Sequence, residues 1–312
     1  MPCTSRRCVV AFGAVPAPVE ALLEGFSNWM LEHRGVRPST VLAYRAPLRR
    51  FIASFDAVPR RLDVAGLRAF ICQQASMLGH DAARRLVSSC RMFLRYLSSR
   101  QLCSAALTEA VPAVAGWRLA SMPRYLLPEQ VERVLAGCDC GTAQGLMERA
   151  ILLLCSRLGV RAQDLAALAL DDLDFQAATL SVAGKNRQRC LLPMPQDVGD
   201  ALIAYLERAR PASVSRMVFV RSRPPHDGFA GSASISRIVK RALLRAGIVR
   251  PRSGAHLLRH SAAFQLLLEG ASLEGIGALL RHASLDTTAI YAKVDLQALS
   301  QICQPWPTEV SC

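Results

Sequence analysis

A stretch near the C-terminus, residues 256–291, concentrates side chains that suit chemistry on a phosphate group. His256 and Arg259 are three residues apart, a spacing that places both on one face of a helix. A second apolar-periodic segment ends at His282, and a short turn leads from there to Tyr291. Arginine holds phosphate oxygens in a planar fork, histidine transfers protons near neutral pH, and a tyrosine hydroxyl can be a nucleophile. The stretch therefore predicts phosphoryl chemistry without a metal.

The composition indicates a folded, basic protein with a polyanionic partner. The chain has 312 residues, of which 51% are hydrophobic, so it is long enough for two domains with separate cores. Its net charge of +14 and pI near 9.8 favour nucleic acid as the partner. Among its 38 basic side chains only Lys185, Lys240 and Lys293 are lysines. A GC-rich genome accounts for this bias equally well, but a lysine within a motif is unusual in such a chain.

The cysteines and apolar segments argue against a metal centre, export and a membrane anchor. Cys138 and Cys140 are too close for a CxxC knuckle and have no second pair. The apolar run 8–12 is short and is broken by Gly13 and Pro16, unlike a signal peptide. No stretch approaches the ~20 apolar residues of a membrane span. We expect a protein of the reducing cytoplasm with no disulfide framework.

Helical periodicity predicts two domains. Residues 1–15 form a flexible arm, and residues 16–105 carry four apolar-periodic helices. Residues 106–123 are small or proline-containing and predict a linker. Residues 124–295 form the second domain, and 296–312 a C-terminal tail.

A β-hairpin interrupts the helices of the second domain. Residues 179–182 and 190–193 predict two strands, with Lys185 at the tip of the turn between them. Residues 217–220 predict another short strand. The expected fold is mainly α with a small β-hairpin or sheet, an α+β class.

Arginines dominate the N-terminal half. Residues 1–122 contain sixteen arginines and no lysine against seven acidic residues. Several fall about one helical turn apart: Arg84, Arg85, Arg91 and Arg95 on one helix, and Arg45 and Arg49 on another. The pattern favours a helical face that grips the DNA backbone, although a solvated face would have the same pattern.

The order of these residues resembles that of the tyrosine recombinase (phage integrase) family, particularly its Xer-like members. Five boxes carry the resemblance: Leu158-Gly159-Val160-Arg161, Gly184-Lys185, His256-x-x-Arg259, Leu279-Leu280-Arg281-His282 and Thr287-Thr288-x-Ile290-Tyr291. A lone His-x-x-Arg is weak evidence, whereas five boxes in family order and spacing are strong evidence. The resemblance implies an N-terminal helical core-binding domain and a C-terminal catalytic domain.

The resemblance also implies a site-specific enzyme that cleaves and rejoins DNA for integration, excision or transposition. Arg161 and Arg259 would clamp the scissile phosphate and stabilise its transition state. Tyr291 would attack phosphorus, leaving a 3′-phosphotyrosine and a 5′-hydroxyl. Lys185 would protonate that leaving oxygen, a task that a desolvated lysine performs more readily than an arginine.

The remaining family roles fall on residues near these groups. His256 would help to move the Tyr291 proton, and His282 would hydrogen-bond the phosphate. Asp164 stands where the family often has Glu and would brace the Arg161 region. His260, like Lys293 beside the last box, is interpreted as a supporting or DNA-backbone group.

Two positions depart from the family pattern. Arg281 replaces a common glycine, which predicts either a different turn or an extra phosphate contact. Asn186 replaces a frequent glycine after the lysine, and asparagine tolerates a left-handed backbone, so the hairpin can survive. Neither change removes a catalytic group, so an active enzyme is expected.

The resemblance implies that the chain acts on double-stranded DNA as a homo-tetramer on paired DNA sites, with the tail docked on a neighbouring subunit. It also implies a bacterial protein that is associated with the nucleoid in use and that needs no cofactor, because the phosphotyrosine conserves the bond energy for religation. A type IB topoisomerase and a catalytically silent DNA-binding protein remain as alternatives. The sequence leaves open the target site and the need for accessory recombination factors. It also leaves open whether Tyr291 acts in its own subunit, and whether the enzyme serves a phage or island, a transposon or chromosome-dimer resolution.

Overall fold

The chain divides into two compact units, residues 1–120 and 121–312, and the second unit has a small core of its own beside its main one. The computed structural model describes residues 17–36, 38–114, 122–183, 189–249, 254–282, 284–294 and 299–300. The expected arm and nearly all of the expected tail lie outside the described residues.

The first unit is built from amphipathic helices around an aromatic core. Its helices are α1 (Ala17–Arg34), α2 (Pro38–Ala53), α3 (Val64–Met77), α4 (His80–Ser99) and α5 (Ala106–Glu109). Phe93 packs edge-on against Phe26 and Phe51, with ring centroids 5.6 and 6.2 Å away. Asp63 caps α3 by accepting a hydrogen bond from the Gly66 backbone N–H at 2.7 Å.

Helix α5 lies within residues 106–123, the segment predicted to be a linker. Leu107 of α5 and the nearby Val111 are buried in the core of the first unit. This segment has few large apolar side chains, and they lie among small residues. Its apolar periodicity is therefore too short to predict a helix.

The arginines that the spacing singled out differ in their surroundings. Arg91 is partly buried, and its Nη2 donates to the Val111 carbonyl at 3.3 Å. Arg84, Arg85 and Arg95 are exposed on α4, on the side opposite its buried apolar residues. Arg45 and Arg49 both pair with Glu20. The carboxylate offsets part of the charge of that pair, so the α4 face is the stronger candidate for an anionic partner.

The second unit surrounds the buried helix α7. Its helices are α6 (Pro128–Ala136), α7 (Ala143–Ser156), α8 (Ala162–Ala166), α9 (Gln196–Arg208), α10 (Ser232–Arg245), α11 (Ala255–Leu268), α12 (Leu273–Leu279) and α13 (Leu285–Thr288). Helices α6, α9, α10 and α11 all pack against α7, whose run from Ala150 to Ser156 is buried throughout. Of the helices that the structure describes, none combines the length and the apolar character needed to cross a bilayer.

The second unit also contains an antiparallel sheet in the order β1 (Leu173–Asp174), β2 (Thr179–Ala183) and β3 (Arg189–Pro193). Leu180 and Leu192 face each other across the β2–β3 pair, and both are buried. The predicted hairpin and the predicted fold class are thus confirmed. The tip with Lys185 lies outside the described residues.

The predicted strand at 217–220 is wrong. The described chain forms only isolated bridges there, Ala169–Met217 and Val220–Gly228. The Arg210 guanidinium donates to the carbonyls of Met217 and Val218, at 2.9 and 3.2 Å, and so occupies acceptors that a neighbouring strand would use. The apolar run is buried by this packing, without a sheet ladder.

Candidate active site

Gly159 sets the position of Arg161. After α7 ends, Gly159 adopts a left-handed backbone with φ +57° and Val160 is buried. A Cβ at Gly159 would meet Leu280 Cδ2 at 2.4 Å, so close packing as well as backbone conformation requires glycine. Helix α7 ends at Ser156 with Arg157 as its C-cap, and the turn through Gly159 delivers Arg161 to the N-terminus of α8.

Arg259 connects two boxes that are far apart in the sequence. Its side chain on α11 is only 3% exposed, and its Nη1 and Nη2 donate to the carbonyls of Gly159 and Leu280. Burial, together with the charges of Arg161 and Arg281, lowers the pKa of Arg259 to about 9, so it remains charged at neutral pH. The site thus collects positive charge that an anion would relieve.

Arg161 is held by two groups. Its Nη2 donates to the Arg281 carbonyl at 2.9 Å, and its Nη1 lies 3.9 Å from Asp164 Oδ2. Burial raises the pKa of Asp164, while Arg281, Arg161 and Arg259 pull it down. The contact agrees with the bracing role predicted for Asp164.

The Tyr291 hydroxyl contacts a histidine that the sequence interpretation kept in a supporting role. Tyr291 is 1% exposed, and its hydroxyl lies 2.7 Å from Nδ1 of His260. The His260 ring stacks on His256, with centroids 5.7 Å apart, while His256 itself is exposed. The structure thus places His260 rather than His256 next to the phenol. The four-residue spacing of these histidines, which places both on one helix face, was the sequence signal that could have identified His260.

His282 is oriented by the turn before Tyr291. Its Nδ1 lies 2.8 Å from Oγ1 of the buried Thr288, and its backbone N–H donates to Gly277 at 2.9 Å. With Nδ1 engaged, Nε2 is the ring nitrogen left for a substrate.

The predicted residues that the structure describes form one cluster. Arg259 connects the boxes of Arg161 and His282 through backbone carbonyls, and the stacked histidines lead from His256 to Tyr291. Lys185, the sixth predicted residue, lies outside the described residues, between β2 and β3. Cys190 on β3 is near enough to influence the pKa of Arg281, which places the base of the hairpin beside the cluster.

The histidines of this cluster are kept neutral. Burial and then His256 and Arg259 lower the pKa of His260 to about 4. Burial and then Arg259 and Arg161 lower that of His282 to about 4 as well. Partial desolvation and the same arginines lower the pKa of His256.

We therefore expect the second unit to lose stability as the pH falls from about 6.5 to 4. In that window histidines of the unfolded chain bind protons, whereas His260 and His282 in the folded cluster do not. The loss approaches about 1.4 kcal/mol per pH unit for each extra proton. Thermal unfolding at several pH values measures it. His282→Asn should flatten the decline, with His33→Asn on α1 as the control for loss of an imidazole. An unchanged slope in His282→Asn would contradict the assignment.

Comparisons with known proteins agree with this geometry. The model of the phage integrase family matches residues 124–298. The chain is 39% identical over 299 residues to a Sinorhizobium fredii protein described as an integrase/recombinase (y4rA), covering 94% of this chain and 73% of that protein. It is 29% identical over 294 residues to the tyrosine recombinase XerD of Listeria monocytogenes, covering 90% and 96%.

Solved structures show the same fold. XerH recombinase bound to palindromic difH substrate, in a post-cleavage complex, matches with a TM-score of 0.73 and 19% identity, covering 93% of this chain and 97% of that chain. A lambda integrase tetramer bound to a Holliday junction matches with a TM-score of 0.64 and 16% identity, covering 86% and 76%.

Proposed function

Because this chain belongs to the phage integrase family, and is a tyrosine recombinase that breaks and rejoins DNA, we propose that Tyr291 is its nucleophile. The observation that carries the assignment is that the buried Tyr291 phenol contacts His260 and lies within the electrostatic reach of Arg259, which is clustered with Arg161 and His282. Arginine forks suit phosphate oxygens, and their charges would stabilise the crowded transition state.

The cleavage step balances without an added cofactor. The Tyr291 oxygen attacks phosphorus, the bond from phosphorus to the 5′-oxygen breaks, and a 3′-phosphotyrosine forms. The phenol proton leaves through the neighbouring histidines, and Lys185 gives a proton to the 5′-oxygen. Religation is the reverse, since the phosphotyrosine retains the energy of the broken ester.

His260 is assigned to hold the Tyr291 hydroxyl during this step. The 2.7 Å contact to Nδ1 and the stacked His256 ring support that role. We expect His260→Ala to slow cleavage by about tenfold or more, because a misdirected nucleophile reacts slowly. His260→Asn should recover only part of the rate, since its amide can occupy the place of Nδ1 but cannot take up the phenol proton. Single-turnover cleavage at saturating DNA measures both, and equal rates for the two variants would contradict the role.

The substrate is proposed to be double-stranded DNA, held in part by the exposed arginines of α4. Arg84, Arg85 and Arg95 lie on one helix surface, as contacts to a phosphate backbone would require. Strand exchange would take place in a homo-tetramer on paired sites, by analogy with the lambda integrase tetramer bound to a Holliday junction.

The test uses end-labelled duplexes tiled across the DNA that flanks the gene, each with a nick that lets the cleaved fragment escape. We expect a denaturant-resistant protein–DNA adduct at one duplex, retaining the label on the 5′ side of the break. The same duplex without the nick is the control, because religation should keep its adduct scarce.

The alternative functions give different products. A type IB topoisomerase would relax supercoiled plasmid without a site preference. A silent DNA-binding protein would shift the duplexes and a synthetic Holliday junction but form no adduct with either. That last outcome would refute the proposed function.

A further inference from the structure

Arg281 occupies a backbone position that suits glycine. It follows α12 with φ +54°, and its N–H donates to the Ala278 carbonyl at 3.0 Å, closing the end of the helix. Glycine is usual at such a left-handed helix end because it has no Cβ to strain. The backbone of this turn is therefore the one that a glycine would adopt, and its conformation does not explain why the residue is an arginine.

The Arg281 side chain is buried in the cluster. It is 6% exposed, with Nη2 lying 3.1 Å from Asp164 Oδ2. Among the described residues, Nε and Nη1 have no hydrogen-bond partner, and the ionic contact of Nη2 is with Asp164. Burying charged N–H groups in this way is costly, so stability alone does not explain the arginine.

The backbone of the same turn holds the two arginines assigned to the phosphate. The Leu280 carbonyl accepts from Arg259, and the next carbonyl, that of Arg281, accepts from Arg161. Asp164, the ionic partner of the Arg281 side chain, also lies near Arg161. Arg281 thus reaches Arg161 twice, through its own carbonyl and through Asp164.

We propose that Arg281 is a positioning residue for DNA cleavage: its guanidinium, held by Asp164, fixes the turn whose carbonyls aim Arg161 and Arg259 at the scissile phosphate. The proposal rests on the phosphate-binding roles proposed above for those two arginines. A direct phosphate contact is the less favoured assignment because the guanidinium is covered by protein.

The test compares Arg281→Gly with the unaltered chain in single-turnover cleavage of the nicked duplex. The glycine suits the left-handed backbone and removes only the side chain. We expect the rate at saturating DNA to fall by about 10–100-fold, as small misplacements of reacting groups do, with the half-saturating DNA concentration unchanged. Arg281→Lys keeps a cation for Asp164 and should recover most of the rate. Ala178→Gly, at φ +49°, is the matched control for relief of backbone strain.

Asp164→Asn tests the route. If Arg281 acts through Asp164, the losses from Arg281→Gly and Asp164→Asn are not additive in the double variant. Additive losses would overturn the proposal, as would a lysine variant as slow as the glycine variant. The proposal would also be overturned if Arg281→Gly cleaved at the wild-type rate, or if the substitution changed only the half-saturating DNA concentration. If Arg281→Gly does not fold, Arg281→Asn, which tolerates the same backbone, is measured in its place.

These results are distinguishable from failure of the proposed function. If that function is wrong, the unaltered chain itself forms no adduct. If only the role of Arg281 is wrong, the unaltered chain forms the adduct and the Arg281 variants depart from the pattern above.

Discussion

Tyr291→Phe is expected to abolish the covalent protein–DNA adduct and to lower the cleavage rate by more than about 10⁴-fold. The change removes the attacking oxygen and keeps the ring that packs in the small core beside Phe264 and Ile276. Folding should be nearly intact, because the lost contact to His260 is worth about 1 kcal/mol. Denaturing gels of the nicked-duplex reaction measure the adduct, and thermal unfolding measures the stability.

Tyr205→Phe is the matched control for this substitution. Tyr205 is another buried tyrosine of the same unit, and its hydroxyl accepts from the Val220 backbone N–H at 3.5 Å. It should lose a little stability and no adduct. An adduct that persists in Tyr291→Phe would place the nucleophile elsewhere.

Burial keeps the hydroxyl of Tyr291, the proposed nucleophile, protonated. Burial raises the pKa of Tyr291 to about 12, although the charge of Arg259 opposes the rise. The phenol is therefore neutral at physiological pH and depends on its surroundings to lose its proton during attack. This explains why an oxygen that lies among cations still needs the neutral histidines beside it.

The boxes predicted which of the described side chains lie close together, because each box is a local pattern with a local cause. The turn through Gly159 leaves Arg161 at the start of a helix, and the three-residue spacing sets His256 and Arg259 on one helix. The alternation of apolar residues around Lys185 predicted the hairpin for the same reason. Such features depend on residues a few positions apart.

The parts that escaped prediction depend on tertiary contacts. The His260–Tyr291 contact joins residues 31 positions apart, and the turn between them decides whether they meet. At Arg281 the sequence allowed a changed turn or a phosphate contact. The structure keeps the glycine-like turn and directs the side chain to Asp164. The spacing of residues along the sequence does not reveal that the Arg281 side chain is buried.

Arg259→Lys is expected to slow cleavage by about 10³-fold and to lower the melting temperature of the second unit. The guanidinium spans the carbonyls of Gly159 and Leu280, whereas a single ammonium cannot bridge both and also meet a phosphate. Loss of one preorganised donor to a developing charge costs about 10²–10³ in rate. A buried carbonyl without its partner costs about 1–3 kcal/mol in unfolding free energy.

Arg210→Lys separates these two effects. Arg210 also bridges backbone carbonyls within the second unit, those of Ser215, Met217 and Val218. It has no assigned contact with the phosphate, so the lysine variant should lose stability while cleaving at the normal rate below its melting temperature. If both variants lose cleavage in proportion to stability, Arg259 is a structural brace alone. If only Arg259→Lys loses cleavage at a temperature where both are folded, the arginine acts on the phosphate as well as on the turn that holds it.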